Sequence, residues 1–258
     1  MENKIQFIPH KKEDLDYFDD IVDGLDQNVL TEHLSVGSIK TNTDFILHFI
    51  EDKLTLQDEK TKQSFCVDFN SGKNYYRTFI DNTKSMLIKA IEGRIKDKLH
   101  VVDATAGFGG DLFQIAARGH NVMGIEQNLI VYLLLKDALI RAEDNPQTHP
   151  ITQKINLVYG NACQLLSQIK KSDVIYLDPM FPESKKSAKV QKEMQLLQFL
   201  NKSQLEDTNN NFNLFNIAQE SAKKIVVKRP ASGIYLADSK PTSSLTGKSN
   251  RFDIYAIN

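Results

Sequence analysis

Three carboxylates stand where short apolar runs end. Val101-Val102 leads into Asp103, Val122-Met123-Gly124-Ile125 into Glu126, and Val174-Ile175-Tyr176-Leu177 into Asp178. Apolar runs of this length, bounded by turn residues, read as strands covered on both faces. An acid at the carboxyl end of such a strand lies where open α/β sheets receive their ligands. After Asp103 comes Ala104-Thr105-Ala106-Gly107-Phe108-Gly109-Gly110-Asp111. Gly107 and Gly109 allow positive φ and a close approach of backbone to ligand. The helix start that follows offers free amides to a negative group. Glu126 comes about 20 residues after the glycine turn, where an acid accepts hydrogen bonds from ribose hydroxyls. After Asp178 stand Pro179-Met180-Phe181-Pro182. Asp178 and the Pro179 carbonyl are acceptors suited to an amino group, and the two prolines stiffen the turn. Phe181 offers a flat face on which a base stacks for about 1–3 kcal/mol.

A dinucleotide fingerprint requires a third glycine inside the helix, and that position is Leu112. The pattern therefore fits S-adenosylmethionine (SAM) better than a nicotinamide dinucleotide. In this reading Asp103 reaches the cofactor's ammonium, directly or through water, and Glu126 holds the ribose, with Gln127 flanking the adenosine. Asn161 meets the adenine edge, and Ala162 and Cys163 lie beside the ring, Cys163 as filler rather than nucleophile. An amino group conjugated to a ring is a poor nucleophile. Acceptors set off the ring plane favour the tetrahedral nitrogen that forms as it attacks a methyl group, so in-line positioning and electrostatics carry the step. Each feature alone also fits a plain strand end or tight turn; their order along the chain sets them apart.

These residues need a sheet to position them. From Leu99 onward strands alternate with helices. The strand candidates are Leu99–Asp103, Asn121–Glu126, Ile155–Gly160, Val174–Asp178, Lys224–Lys228 and Arg251–Ile257. The helix candidates are Asp111–Arg118, Asn128–Glu143, Ala162–Ile169, Lys186–Leu200 and Phe212–Ala222. The alternation predicts an α/β fold, a largely parallel sheet with helices on both faces. Residues 205–211 and 231–250 read as loops. Residues 1–85 form a small β-rich N-terminal region, with strands expected at Phe45–Phe49, Leu54–Gln57 and Ser64–Phe69, and residues 86–258 form the main domain.

The 258 residues, 41% hydrophobic and 25% charged, suit one large domain plus an appendage. A net charge of -1 argues against a generally basic coat while allowing a local basic face. Lys185, Lys186, Lys189, Arg229 and Arg251 are candidates for phosphate contact on such a face. No apolar stretch approaches the roughly 20 residues that span a bilayer, and the polar start lacks a signal core. The two cysteines lack metal-like spacing and the six histidines are scattered, so no metal is expected. A reduced, cytoplasmic protein follows.

Asp103-Ala-Thr-Ala-Gly-Phe-Gly-Gly-Asp111, Tyr176-Leu-Asp-Pro-Met-Phe-Pro182, Lys189-Val-Gln-Lys-Glu-Met194, Val226-Val-Lys-Arg-Pro230 and Arg251-Phe-Asp-Ile-Tyr255 together resemble the RsmJ family of bacterial small-subunit ribosomal RNA guanine-N2 methyltransferases. The resemblance runs from about residue 64 to the C-terminus. It implies a class I methyltransferase (Rossmann-like) fold with a mostly parallel seven-stranded sheet whose last strand is antiparallel. It also implies SAM as donor, S-adenosylhomocysteine as product, and a guanine amino group of 16S rRNA, in the 30S subunit or an assembly intermediate, as acceptor. SAM contacts carry over to Gly110, Asp111, Glu126, Gln127, Ala162, Cys163 and Asp178. The chain departs from the family at Gly110, usually basic, at Gln127, often arginine, and after Arg77, where a glycine-rich basic stretch is replaced by Thr78–Lys84. Two other readings use the same residues: an amino-methyltransferase acting on adenine or DNA, and a non-catalytic RNA-binding or assembly factor that keeps the fold.

Overall fold

The protein is seen in a computed structural model that describes residues 5–37, 43–80, 85–95, 97–179, 200 and 208–257. The N-terminal part contains β1 (Ile5–Phe7), α1 (Lys12–Val22), α2 (Gln27–His33), β2 (Ser35–Val36), β3 (Phe45–Ile50), β4 (Lys53–Asp58) and β5 (Ser64–Phe65). Its five strands form one sheet in the order β2-β1-β3-β4-β5. The two helices were not foreseen, although Phe18, Ile21 and Val22 of α1 are buried at helical spacing. Then follow α3 (Gly72–Phe79), α4 (Met86–Glu92), β6 (His100–Asp103), α5 (Gly110–Ala116), β7 (Asn121–Glu126), α6 (Leu129–Glu143), α7 (His149–Thr152), β8 (Ile155–Tyr159), α8 (Ala162–Leu166) and β9 (Val174–Leu177). The chain closes with α9 (Thr208–Ser221), β10 (Lys224–Pro230), β11 (Ser243–Thr246) and β12 (Asn250–Ala256).

The second sheet has seven strands in the order β11-β12-β10-β9-β6-β7-β8. The pairs among β8, β7, β6, β9 and β10 are parallel, and β12 runs antiparallel to both β10 and β11. The chain enters this sheet at its centre, moves out to β8, and returns to the other side of β6 with β9. The strand order therefore reverses between β6 and β9, which is where such sheets bind ligands. β11 lies inside the expected loop; among the described residues Ser243-Ser-Leu-Thr246 pairs only with β12, and its polar sequence gives no strand signal. α9 likewise begins within the expected loop at 205–211.

Successive strand residues point to opposite faces, and the core divides accordingly. Val101, Val122, Val174 and Val226 pack with Leu112 and Phe113 of α5, Leu133 to Leu135 of α6, and Phe7, Leu47 and Leu56 of the first sheet. Val102, Ile125, Ile175, Leu177, Ile225 and Val227 pack with Leu166 of α8 and Leu214, Phe215 and Ala218 of α9. One polar residue ties the first sheet to this frame. Asp137 of α6 is 0% exposed. It accepts from Tyr17 Oη at 3.2 Å, the Leu54 backbone N–H at 3.2 Å and Arg141 Nη2 at 2.8 Å. Arg141 Nη2 also donates to the Val67 carbonyl at 2.5 Å. A buried carboxylate with this many donors holds one arrangement of the elements that meet there.

Candidate functional site

The glycine turn lies at the carboxyl end of β6. Gly107 and Gly109 have φ of 54° and 75°, the left-handed region that glycine enters without penalty. A Cβ at Gly109 would collide with Leu135 Cδ1 and lie 3.2 Å from Phe69 Cζ. The turn is thus shaped by Leu135 of α6 and by Phe69 packed against it. Asp103 is 1% exposed and its Oδ1 accepts from Thr105 N at 3.1 Å. Burial raises its carboxyl well above the usual range, with Asp111 and Asp178 adding to the effect against the Thr105 hydrogen bond and Lys228. Asp103 thus braces the turn from beneath.

Glu126 closes the other side. Its Oε2 accepts from Gly107 N at 2.8 Å and its Oε1 from Asn128 N at 2.7 Å. Each carboxylate oxygen has a second lone pair, so the ribose-holding role remains open to it. Burial pushes its carboxyl up to about 7, against the hydrogen bonds from Asn128, Gly107 and Gln127. Gln127 is exposed and its Oε1 accepts from Asn161 Nδ2 at 3.3 Å. Asn161 Oδ1 caps α8 by accepting from Cys163 N at 2.9 Å. The Asn161 amide thus serves first to join the ends of β7 and β8. Ala162 is buried and Cys163 half-buried, and burial raises the Cys163 thiol.

The densest chemistry lies at the reversal point. Lys228, near the end of β10, donates from Nζ to Asp111 Oδ2 at 2.8 Å and to Asp178 Oδ2 at 2.6 Å. Tyr176 Oη donates to Asp111 Oδ2 at 2.7 Å, and Arg77 Nη2 to Asp111 Oδ1 at 2.7 Å. The Asp178 backbone N–H donates to Thr105 Oγ1 at 2.7 Å, linking the end of β9 to the glycine turn. Burial works against ionising Asp111, yet Lys228 and Arg77 hold its carboxyl below the usual range. Asp178 ends up raised, because burial and the Asp111 charge outweigh Lys228. Lys228 stays protonated: burial opposes its charge, but both carboxylates favour it. Gly110 makes room for this arrangement, since a Cβ there would lie 3.3 Å from Asn74 Oδ1 and 3.4 Å from Arg77 Nη1.

The structure thus brings Asp111 and Asp178 together through Lys228, which enters from the sequence only at the end of a strand candidate and within the Val226-Val-Lys-Arg-Pro230 string. A signal existed: β9 and β10 pair in parallel with Val227 opposite Leu177, so Lys228 and Asp178 are the next residues on neighbouring strands. Pro179 is buried beside Asp178. Phe181, Lys185, Lys186 and Lys189 lie outside the described residues. Arg229 and Arg251 do not form the expected phosphate surface. Arg229 is 4% exposed and donates from Nε to the Ile234 carbonyl at 2.8 Å. Arg251 forks onto Asp253 at 2.8 and 2.9 Å and bonds the Ala231 and Gly233 carbonyls. A guanidinium this far from water needs acceptors, and the loop at 231–234 with Asp253 supplies them.

The donor set suits SAM. Two glycines with left-handed φ shape the turn after β6, a buried acid stands at the end of β7, and carboxylates suited to a cation gather at the reversal point. Glu126, the turn at Gly107–Asp111, Ala162, Cys163 and Asp178 would hold it. No group of three or more metal-ligating side chains occurs among the described residues, and no helix among them is long and apolar enough to cross a membrane.

The fold and this arrangement define a class I SAM-dependent methyltransferase. A sequence profile described as putative SAM-dependent methyltransferase matches residues 30–257. The chain belongs to the ribosomal RNA small subunit methyltransferase J family. The member from Francisella philomiragia subsp. philomiragia is 39% identical over 224 residues, covering 83% of this chain and 92% of that one. The member from Francisella tularensis subsp. novicida is 42% identical over 217 residues, covering 83% and 88%. The crystal structure of a SAM-dependent methyltransferase from Neisseria gonorrhoeae is 30% identical, with a TM-score of 0.75 over 98% of this chain and 96% of that one.

Proposed function

We propose that this enzyme transfers a methyl group from SAM to the exocyclic N2 amino group of a guanine in 16S rRNA, presented by the 30S subunit or an assembly intermediate. The observation that carries this reading is the carboxylate of Asp178 at the reversal point. One of its oxygens is held by Lys228, and among the described residues no donor reaches the other. SAM supplies an electrophilic methyl on a sulfonium, and its departure leaves S-adenosylhomocysteine. Asp178 Oδ1 and the Pro179 carbonyl accept the two amino hydrogens, which draws the nitrogen lone pair out of the ring's conjugation. Phe181, two residues after Pro179 in the sequence, is assigned to stack on the base. The methylated ammonium is strongly acidic, so the proton leaves after transfer without a strong base at the site. The kinship to small-subunit ribosomal RNA methyltransferases supports that RNA as the substrate, and the acceptor geometry supports a base amine.

Tritiated methyl transfer from SAM should label 30S particles or their 16S rRNA and leave duplex and single-stranded DNA unlabelled. Label on DNA at a comparable kcat/KM would shift the reading to a DNA amino-methyltransferase. Label on neither nucleic acid would remove it.

A further inference from the structure

We infer that Lys228 is the positioning residue that sets the amine-accepting carboxylate; this rests on the reading of Asp178 as that acceptor. One ammonium lies between two carboxylates from different elements, 2.8 Å from Asp111 Oδ2 on α5 and 2.6 Å from Asp178 Oδ2 beyond β9. Asp111 cannot shift to meet it elsewhere, because Tyr176 Oη and Arg77 Nη2 each hold it at 2.7 Å. The Asp178 backbone is fixed in turn by its 2.7 Å bond to Thr105 Oγ1. Lys228 therefore ties the Asp178 side chain to an anchored point in the cofactor half of the site. With Oδ2 committed, the rotation of the carboxylate is set and Oδ1 is presented to the amine. A preorganised acceptor does not have to turn during the reaction, which is the main source of electrostatic catalysis.

The same bond governs ionisation. The charged or titratable groups that bear on Asp178 are Lys228 from β10, Asp111 from α5, Arg77 from α3, Asp103 from β6, Tyr176 from β9 and Arg229 from β10. Among the described residues, Lys228 is the one of these that hydrogen-bonds its carboxylate. Without that ammonium, Asp111 and Asp178 face each other as like charges, and Asp178 retains its proton to higher pH.

The test uses Lys228→Met and Lys228→Arg in the full chain. Lys228→Met should lower kcat about 100-fold with little change in KM for RNA. The acid limb of its pH–kcat profile should move up by about one pH unit or more. Lys228→Arg keeps the charge and should return the limb to its wild-type position. A carboxyl-carbon NMR titration of Asp178, assigned against Asp178→Asn, should show the same upward shift without any RNA. If the Met variant does not fold, Lys228→Gln takes its place in every measurement. A folded uncharged variant whose Asp178 titrates as in wild type and whose kcat stays within twofold overturns the assignment. Wild-type transfer to small-subunit RNA in the same assay separates the two failures. If it is absent the RNA reading falls, and the titration still decides the role of Lys228.

Discussion

Asp178→Ala should lower kcat for methyl transfer by about 10²–10³-fold or more, the usual consequence of removing a preorganised polar group from the transition state. The fold should survive. The Asp178 side chain is 34% exposed, and its truncation leaves Lys228 paired with Asp111 at 2.8 Å, so no buried charge is stranded. The melting temperature should stay within a few degrees of wild type. The distinction matters because Asp178 is also assigned a cofactor contact. Calorimetry with S-adenosylhomocysteine separates the two roles: an acceptor for the amine leaves product affinity nearly intact, and a cofactor ligand does not. Wild-type kcat in a folded Asp178→Ala enzyme would remove the residue from the reaction.

The second large effect concerns Glu126. Burial pushes its carboxyl up to about 7 from an ordinary value of 4.5. A carboxyl whose folded value is raised holds its proton more tightly when folded. Its contribution to stability is therefore most favourable at low pH and is lost as pH rises from the ordinary value to about 7. Ribose hydroxyls that donate to this carboxylate favour its ionised form. SAM binding should then release a proton near neutrality, and affinity should rise with pH up to about 7 and level off above it. Glu126→Gln removes one charged acceptor and should weaken SAM binding about 10–100-fold, from the worth of hydrogen bonds to charged groups. It should also flatten the pH dependence. The amide cannot accept from both Gly107 N and Asn128 N as the carboxylate does, so a urea titration at pH 8 must accompany the calorimetry. Unchanged affinity and an unchanged pH slope in the folded variant would place the ribose elsewhere.

Much of the site was legible because α/β sheets put ligands at strand ends. Asp103, Glu126 and Asp178 could be found by asking where apolar runs stop, and the glycine turn by its place after the first of them. What could not be read was how those acids are used. Asp103 and Glu126 stand alike in the sequence, yet one lies beneath the turn and the other closes it, a difference that depends on which backbone amides turn toward each. The network of Arg77, Asp111, Tyr176 and Lys228 joins residues from four elements. Only strand order makes Lys228 the neighbour of Asp178. Arg229 misled because cationic residues near a strand end usually meet solvent, whereas here the 231–234 loop folds back and accepts from its Nε. In the N-terminal part, short strands were visible between charged turns, while α1 was obscured by the charges interspersed with Phe18, Ile21 and Val22.

The proposed reaction is methylation of a guanine amine of small-subunit ribosomal RNA. Mass spectrometry of nucleosides from that RNA, taken from a strain lacking the protein, tests it most directly. Loss of N2-methylguanosine at one position is predicted, with restoration by the wild-type chain and none by Asp178→Ala. An unchanged N2-methylguanosine content in the deletion strain, or full restoration by Asp178→Ala, would contradict it.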